Sequence, residues 1–121
     1  MLPASNRLRL PEDFRRCIRA GGRSGGPLVV VHLLVPTPGT PDSTAGAQPR
    51  VGFVVSRAVG KAVTRNLVKR RLRHLVREHL SVLPDAALLV VRAQPAAATA
   101  DYAELGAELE RCLQRCLRKV A

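Results

Sequence analysis

Aromatic side chains are almost missing: Phe14, Phe53 and Tyr102 are the full set, and there is no tryptophan. That scarcity speaks against an RNA-recognition module of the kind that stacks bases on rings across a sheet. Acids are scarce too, nine against twenty Lys and Arg. Glu12, Asp13, Asp42, Glu78, Asp85, Asp101, Glu104, Glu108 and Glu110 are dispersed, and so do not supply the converging carboxylates of a metal-dependent nuclease. Histidine is limited to His32, His74 and His79, and the last two, five apart on a helix, point about 140° apart. Neither pattern makes a catalytic constellation, so binding and positioning are expected, with no catalytic residue on this chain. The three cysteines, Cys17, Cys112 and Cys116, are odd in number and match no zinc spacing. They read as small buried hydrophobes in a reducing compartment. No apolar run approaches the roughly 20 residues of a membrane span. The opening MLPASNRLRLPEDF carries no apolar signal core. The expectation is a cytoplasmic protein with no membrane contact.

What is present is positive charge on a foldable chain. The formal net charge is +11 over 121 residues, of which 46% are hydrophobic. That length and apolar content suit one domain spanning 1–121 with a real core. A compact body with such an excess repels itself unless a polyanion neutralises it. Nucleic acid is the leading partner class. Charge alone does not separate RNA from DNA.

Periodicity gives the order helix, strand, strand, helix, strand, helix, an α+β pattern. Residues 10–20 (LPEDFRRCIRA) read as a helix, with Pro11 at its first position, Glu12 and Asp13 in its positive first turn, and Phe14, Cys17 and Ile18 on one face. Gly21 and Gly22 stop it. Residues 28–35 (LVVVHLLV) and 51–56 (VGFVVS) read as strands, joined by a flexible Pro- and Gly-rich loop at about 36–49, and an antiparallel pair is expected of them. A long amphipathic helix follows from about 62 to 80, with Val68, Leu72, Leu75 and Val76 as its apolar stripe. A strand at 87–91 and a helix at about 101–119 complete the chain. Asp101 caps that last helix, and Leu105, Leu109, Cys112, Cys116 and Val120 form its buried face.

The informative stretch is 50–79. It holds Arg50, Arg57, Lys61, Arg65, Lys69, Arg70, Arg71, Arg73 and Arg77, nine of the twenty cations, against Glu78 alone. Asn66, Arg70, Arg73 and Arg77 fall at i, i+4, i+7 and i+11, opposite the apolar stripe, and Lys69 borders them. Solvated helices ordinarily mix signs, because opposite charges four apart help and like charges cost. Phosphates would relieve the repulsion here, and the planar guanidinium fork suits their oxygens. Gly60 is either a plain turn glycine or a place where backbone approaches a phosphate closely. Asn66 is either a surface residue or a bridge to a phosphate, a 2′-hydroxyl or a hydrated metal. His32 interrupts an apolar strand, either with a local partner or as part of a site. A ribosomal or rRNA-binding protein is one alternative, and a stand-alone nuclease is another.

The run RVGFVVSRAVGKAVTRNLVKRRLRHLVR (50–77) resembles the signature region of the bacterial ribonuclease P protein family: a strand ending in a basic pair, a glycine, then an Arg-Asn-Arg helix followed by Lys-Arg. NRLRLPEDFRRCIRAG (6–21) resembles its opening helix, and LLVVRAQPAA (88–97) its late strand. The resemblance implies a two-layer α/β sandwich like domain 2 of ribosomal protein S5, with a left-handed βαβ crossover. It implies a subunit, monomeric when free, that assists a catalytic RNA in removing the 5′ leader from precursor tRNA, binding that leader and broadening the range of substrates. The chemistry and the Mg²⁺ would belong to the RNA. On matching positions, Arg57, Gly60, Lys61, Arg65, Asn66, Lys69, Arg70 and Arg73 would face the catalytic RNA, with Asn66 near metal. Phe14, Ile18, Val30 and His32 would line the leader cleft. Leu67 stands where the triplet's second Arg is expected, Ala58 where a second basic residue is usual, and Ile18 and His32 where rings are common.

Overall fold

The computed structural model describes residues 3–36 and 47–120. Helix α1 (Pro11–Ala20) starts at Pro11 with Glu12 and Asp13 in its first turn, and ends where the Gly21 N–H meets the Cys17 carbonyl. Strands β1 (Gly22–Gly25), β2 (Val29–Leu34) and β3 (Arg50–Val54) follow, then α2 (Ala62–Arg77), β4 (Leu88–Ala93) and α3 (Tyr102–Val120). The long helix stops at Arg77, and residues 80–82 form a separate 3₁₀ turn. Asp101 caps α3 as expected, its carboxylate accepting from the Glu104 N–H at 2.7 Å. The connection expected at 36–49 falls for the most part (37–46) outside the described residues.

The sheet order is β1-β2-β4-β3, with β1–β2 and β2–β4 antiparallel and β4–β3 parallel. This corrects the expected pairing of β2 with β3. β4 lies between them, because its run Leu88–Val91 is buried on both faces and belongs at the centre. A parallel neighbour needs a crossover of a dozen or more residues, and α2 supplies it. β1 went unread in the sequence because GRSG has no apolar pattern; pairing along β2 makes it a strand.

Alternation along the strands splits the core. Val29, Val31, Leu33, Val51, Leu89 and Val91 face α2 and α3, packing on Val68, Leu72, Val76, Leu105, Leu109 and Cys112. Leu88 and Val90 face the other way, under α1, with Leu8 and Cys17. The Cys17 thiol donates toward the carbonyls of His32 (3.4 Å) and Leu88 (3.3 Å), and burial pushes its pKa up to about 11. Cys112 and Cys116 are also buried and free, as read from the sequence.

α1 approaches β3 closely only because position 52 lacks a side chain. A Cβ on Gly52 would lie 2.3 Å from the Phe14 ring. Gly52→Ala is therefore expected to cost about 1–3 kcal/mol through overpacking, with the ring displaced. Thermal denaturation measures the first effect and an altered Phe14 fluorescence or NMR environment the second.

Candidate RNA interface

The outer face of α2 emerges as read. Asn66, Arg70, Arg73 and Arg77 are exposed, Arg65 and Lys69 are half-buried, and Arg57 and Lys61 lie exposed just before the helix. None of Arg57, Lys61, Arg65, Lys69, Arg70, Arg73 or Arg77 has a carboxylate partner among the described residues. Arg71 turns aside to donate to the Ala100 carbonyl at 3.3 Å. Gly60 joins the β3 exit to the helix at φ +153°, a backbone conformation that side chains rarely adopt. Leu67 borders a shallow groove with Val63, Asn66 and Arg70, so the missing guanidinium leaves an apolar spot among cations.

Two hollows meet on this helix. Asn66, Lys69, Arg70, Arg73 and His74 line one of about 370 Å³. Lys69 and Arg73 also line the second, of about 160 Å³, whose other walls are Arg7, Leu8, Phe14, Val51, Gly52 and Phe53. Arg7 is positioned by its own segment: the Asn6 amide donates to the Pro49 carbonyl at 2.8 Å, and the Leu8 N–H to the Val51 carbonyl at 2.9 Å. The second hollow thus brings both phenylalanines against three cations.

The rest of the expected cleft lies further across the same face of the sheet. Val30 and His32 are buried on β2, and Ile18 is partly exposed on α1. They do not line the Phe14 hollow. Sequence reading missed Arg7, Phe53, Arg23 and Arg92. Strand alternation could have found Arg92, two residues beyond Val90. Arg23 required β1 to be known: it pairs directly with His32, as Arg92 does with Val30.

His32 is 3% exposed, and neither ring nitrogen has a partner among the described residues. Burial, then Arg92, then Arg23, hold its pKa below the usual 6.5. The unfolded chain takes up this proton near 6.5 and the folded chain only at lower pH, so this penalty on folding is absent above 6.5 and grows as pH falls below it. His32→Leu is expected to flatten the fall of the thermal midpoint between pH 7 and pH 5; an unchanged slope would count against the burial of a neutral ring.

A cationic helix face with no carboxylate partner among the described residues, leading into a ring-floored hollow beside a mixed sheet, defines a small basic α+β protein suited to bind nucleic acid. Its sequence matches the Ribonuclease P family over residues 2–117. It is 60% identical over 115 residues to the ribonuclease P protein component of a Nocardioides species, covering 95% of this chain and 94% of that one. It is 55% identical over 119 residues to the same component of Streptomyces bikiniensis, with 97% and 96% covered. The Staphylococcus aureus RNase P protein shares the fold, with TM-score 0.74 at 24% identity, over 90% of this chain and 93% of that one. The Thermotoga maritima RNase P protein, solved with 1-(4-fluorophenyl)-2-thiourea, gives TM-score 0.70 at 27% identity over 87% and 94%. The chain belongs to the ribonuclease P protein family, which sets aside the ribosomal-protein alternative.

Proposed function

We propose that this protein docks the cationic face of α2 on the catalytic RNA of ribonuclease P and holds the single-stranded 5′ leader of precursor tRNA in the cleft beneath α1. One observation carries this reading: cations with no carboxylate partner among the described residues run, through Lys69 and Arg73, into the hollow floored by Phe14 and Gly52. Arg57, Lys61, Arg65, Lys69, Arg70 and Arg73 neutralise phosphates and release their counterions. Gly60 lets backbone come close to the RNA, and Asn66 donates and accepts at once. Phe14 offers a face for a base and Ile18 an apolar contact, while Val30 and His32, buried on β2, support the cleft from below.

No helix among the described residues is long and apolar enough to cross a membrane, and the reading places the protein in the cytoplasm, monomeric until it meets RNA. The described residues hold no cluster of three or more His, Cys, Asp or Glu side chains able to bind a metal ion. This donor set does not fit a protein-held Mg²⁺. The reading leaves the ion and the cleavage step to the RNA.

The test is reconstitution with the cognate RNA at low Mg²⁺. Phe14→Ala is expected to weaken precursor tRNA binding by about tenfold, since a stacked base contributes roughly 1–3 kcal/mol, and to leave mature tRNA binding unchanged. Equal losses for the two substrates would remove the leader from the cleft.

A further inference from the structure

A second line of cations lies at the opposite edge of the sheet. Arg111, Arg115 and Arg118 follow i, i+4, i+7 on α3 and are exposed, with Lys119 beside them. Contacts on the same flank locate it. The Lys119 ammonium donates to the Arg23 carbonyl at 2.5 Å. The Cys116 thiol points at the carbonyls of Gly22 and Val31. Glu108, three residues before Arg111, reaches the N–H groups of Leu28 and Val29 at the β1–β2 turn. The stripe therefore runs along β1, and among the described residues Arg111 is the one cation of the stripe that meets a carboxylate, Glu108 at 3.4 Å.

Strand register joins this edge to the cleft. Gly52, Val90, His32 and Arg23 are successive cross-strand partners from β3 to β1. That row starts at the Phe14 hollow, passes beneath α1 at the buried Val90 and His32, and ends beside Lys119. Strands lie about 4.8 Å apart, so about 14 Å separate the hollow from this edge, the reach of two or three extended nucleotides passing alongside α1. A longer single strand taking this direction leaves over β1. Arg111 and Arg115 rise from positions about 6 Å apart along the helix axis and Arg118 about 4.5 Å further on, so neighbouring cations can meet neighbouring phosphates of an extended strand.

We propose that the β1–α3 edge, with Arg115, Arg118 and Lys119 at its centre, is an exit station that binds the sugar-phosphate backbone of leader nucleotides upstream of those in the cleft. It reads charge and not sequence, so it makes affinity depend on leader length. This rests on the assignment of the leader to the cleft.

The test uses the reconstituted ribonucleoprotein with mature tRNA and with precursor tRNAs carrying leaders of about 4 and about 12 nucleotides, within the usual range of single-strand site sizes. In Arg115→Ala/Arg118→Ala, the long-leader precursor is expected to bind about tenfold more weakly. Its salt slope should fall by about 1.4, at 0.7 per single-strand phosphate contact. Short-leader binding, affinity for the catalytic RNA and the thermal midpoint should hold, and Arg115→Lys/Arg118→Lys should restore most of the loss. Unchanged long-leader affinity overturns the proposal, as does equal loss for both leaders. A loss of catalytic-RNA affinity with the leader effect absent assigns the edge to that RNA instead. Should the unaltered protein fail to favour precursor over mature tRNA, the cleft reading itself fails.

Discussion

Lys69→Ala/Arg70→Ala/Arg73→Ala is expected to weaken binding to the catalytic RNA by roughly a thousandfold or more, since each of the three charge-assisted contacts contributes about 1.5 kcal/mol. These three cations share the hollow lined by Asn66 and His74, and none has a carboxylate partner among the described residues. Their removal deprives the protein of no internal ion pair. The loss should therefore appear in RNA affinity and not in the thermal midpoint. On structured RNA the slope of log affinity against log salt should fall by about 2.7, taking 0.9 per lost phosphate contact. Lysine at all three positions should keep most of the slope but not all of the affinity, because it lacks the forked donors of Arg. A full slope in the alanine variant would mean that the phosphates are met elsewhere.

The largest stability effect is expected at Glu108, where Glu108→Ala should cost about 2–5 kcal/mol. This carboxylate is 3% exposed, which is unusual for Glu unless it is paired. One of its oxygens accepts from the N–H groups of Leu28 (2.6 Å) and Val29 (2.7 Å). It thereby ties the middle of α3 to the turn that aligns β1 with β2. Alanine leaves two backbone donors without an acceptor, at about 1–3 kcal/mol each. The Arg111 contact adds little, since its guanidinium is solvent-exposed. The thermal midpoint should drop by about 10–20 °C, at 3–5 °C per kcal/mol for this size. Glu108→Gln keeps one acceptor and the shape, so it should lose less than half as much. An alanine variant melting within about two degrees of the parent would show that the turn is held by strand pairing alone.

The helices were readable because their information is local. Val68, Leu72, Leu75 and Val76 lie one turn apart and are all buried, and Asp101 caps α3 three residues before Glu104. The cationic stripe was readable for the same reason, since it lives on one helix. The sheet was not. Which strand sits at the centre depends on burial of both faces, and chain adjacency suggested β2 beside β3 when β4 separates them. β1 has no pattern of its own and exists through its register with β2. The hollow joining Arg7, Phe14, Phe53, Lys69 and Arg73 was hidden because it draws on three stretches separated in the chain, 7–14, 51–53 and 69–73. Arg23 entered the site only once β1 was placed, and the α3 edge only once Lys119 and Glu108 tied that helix to β1.

The central position of β4 has a consequence for how the molecule comes into being. Both of its neighbours, β2 and β3, are made earlier, and the β1–β2 hairpin joins β3 only through residues 88–93. A nascent chain that has emerged only as far as Ala87 owns a finished cationic helix and no platform to seat it. Closure of this topology waits on distant contacts, which are slow to form, so the proposed RNA-binding surface is assembled only after Ala93 has been made.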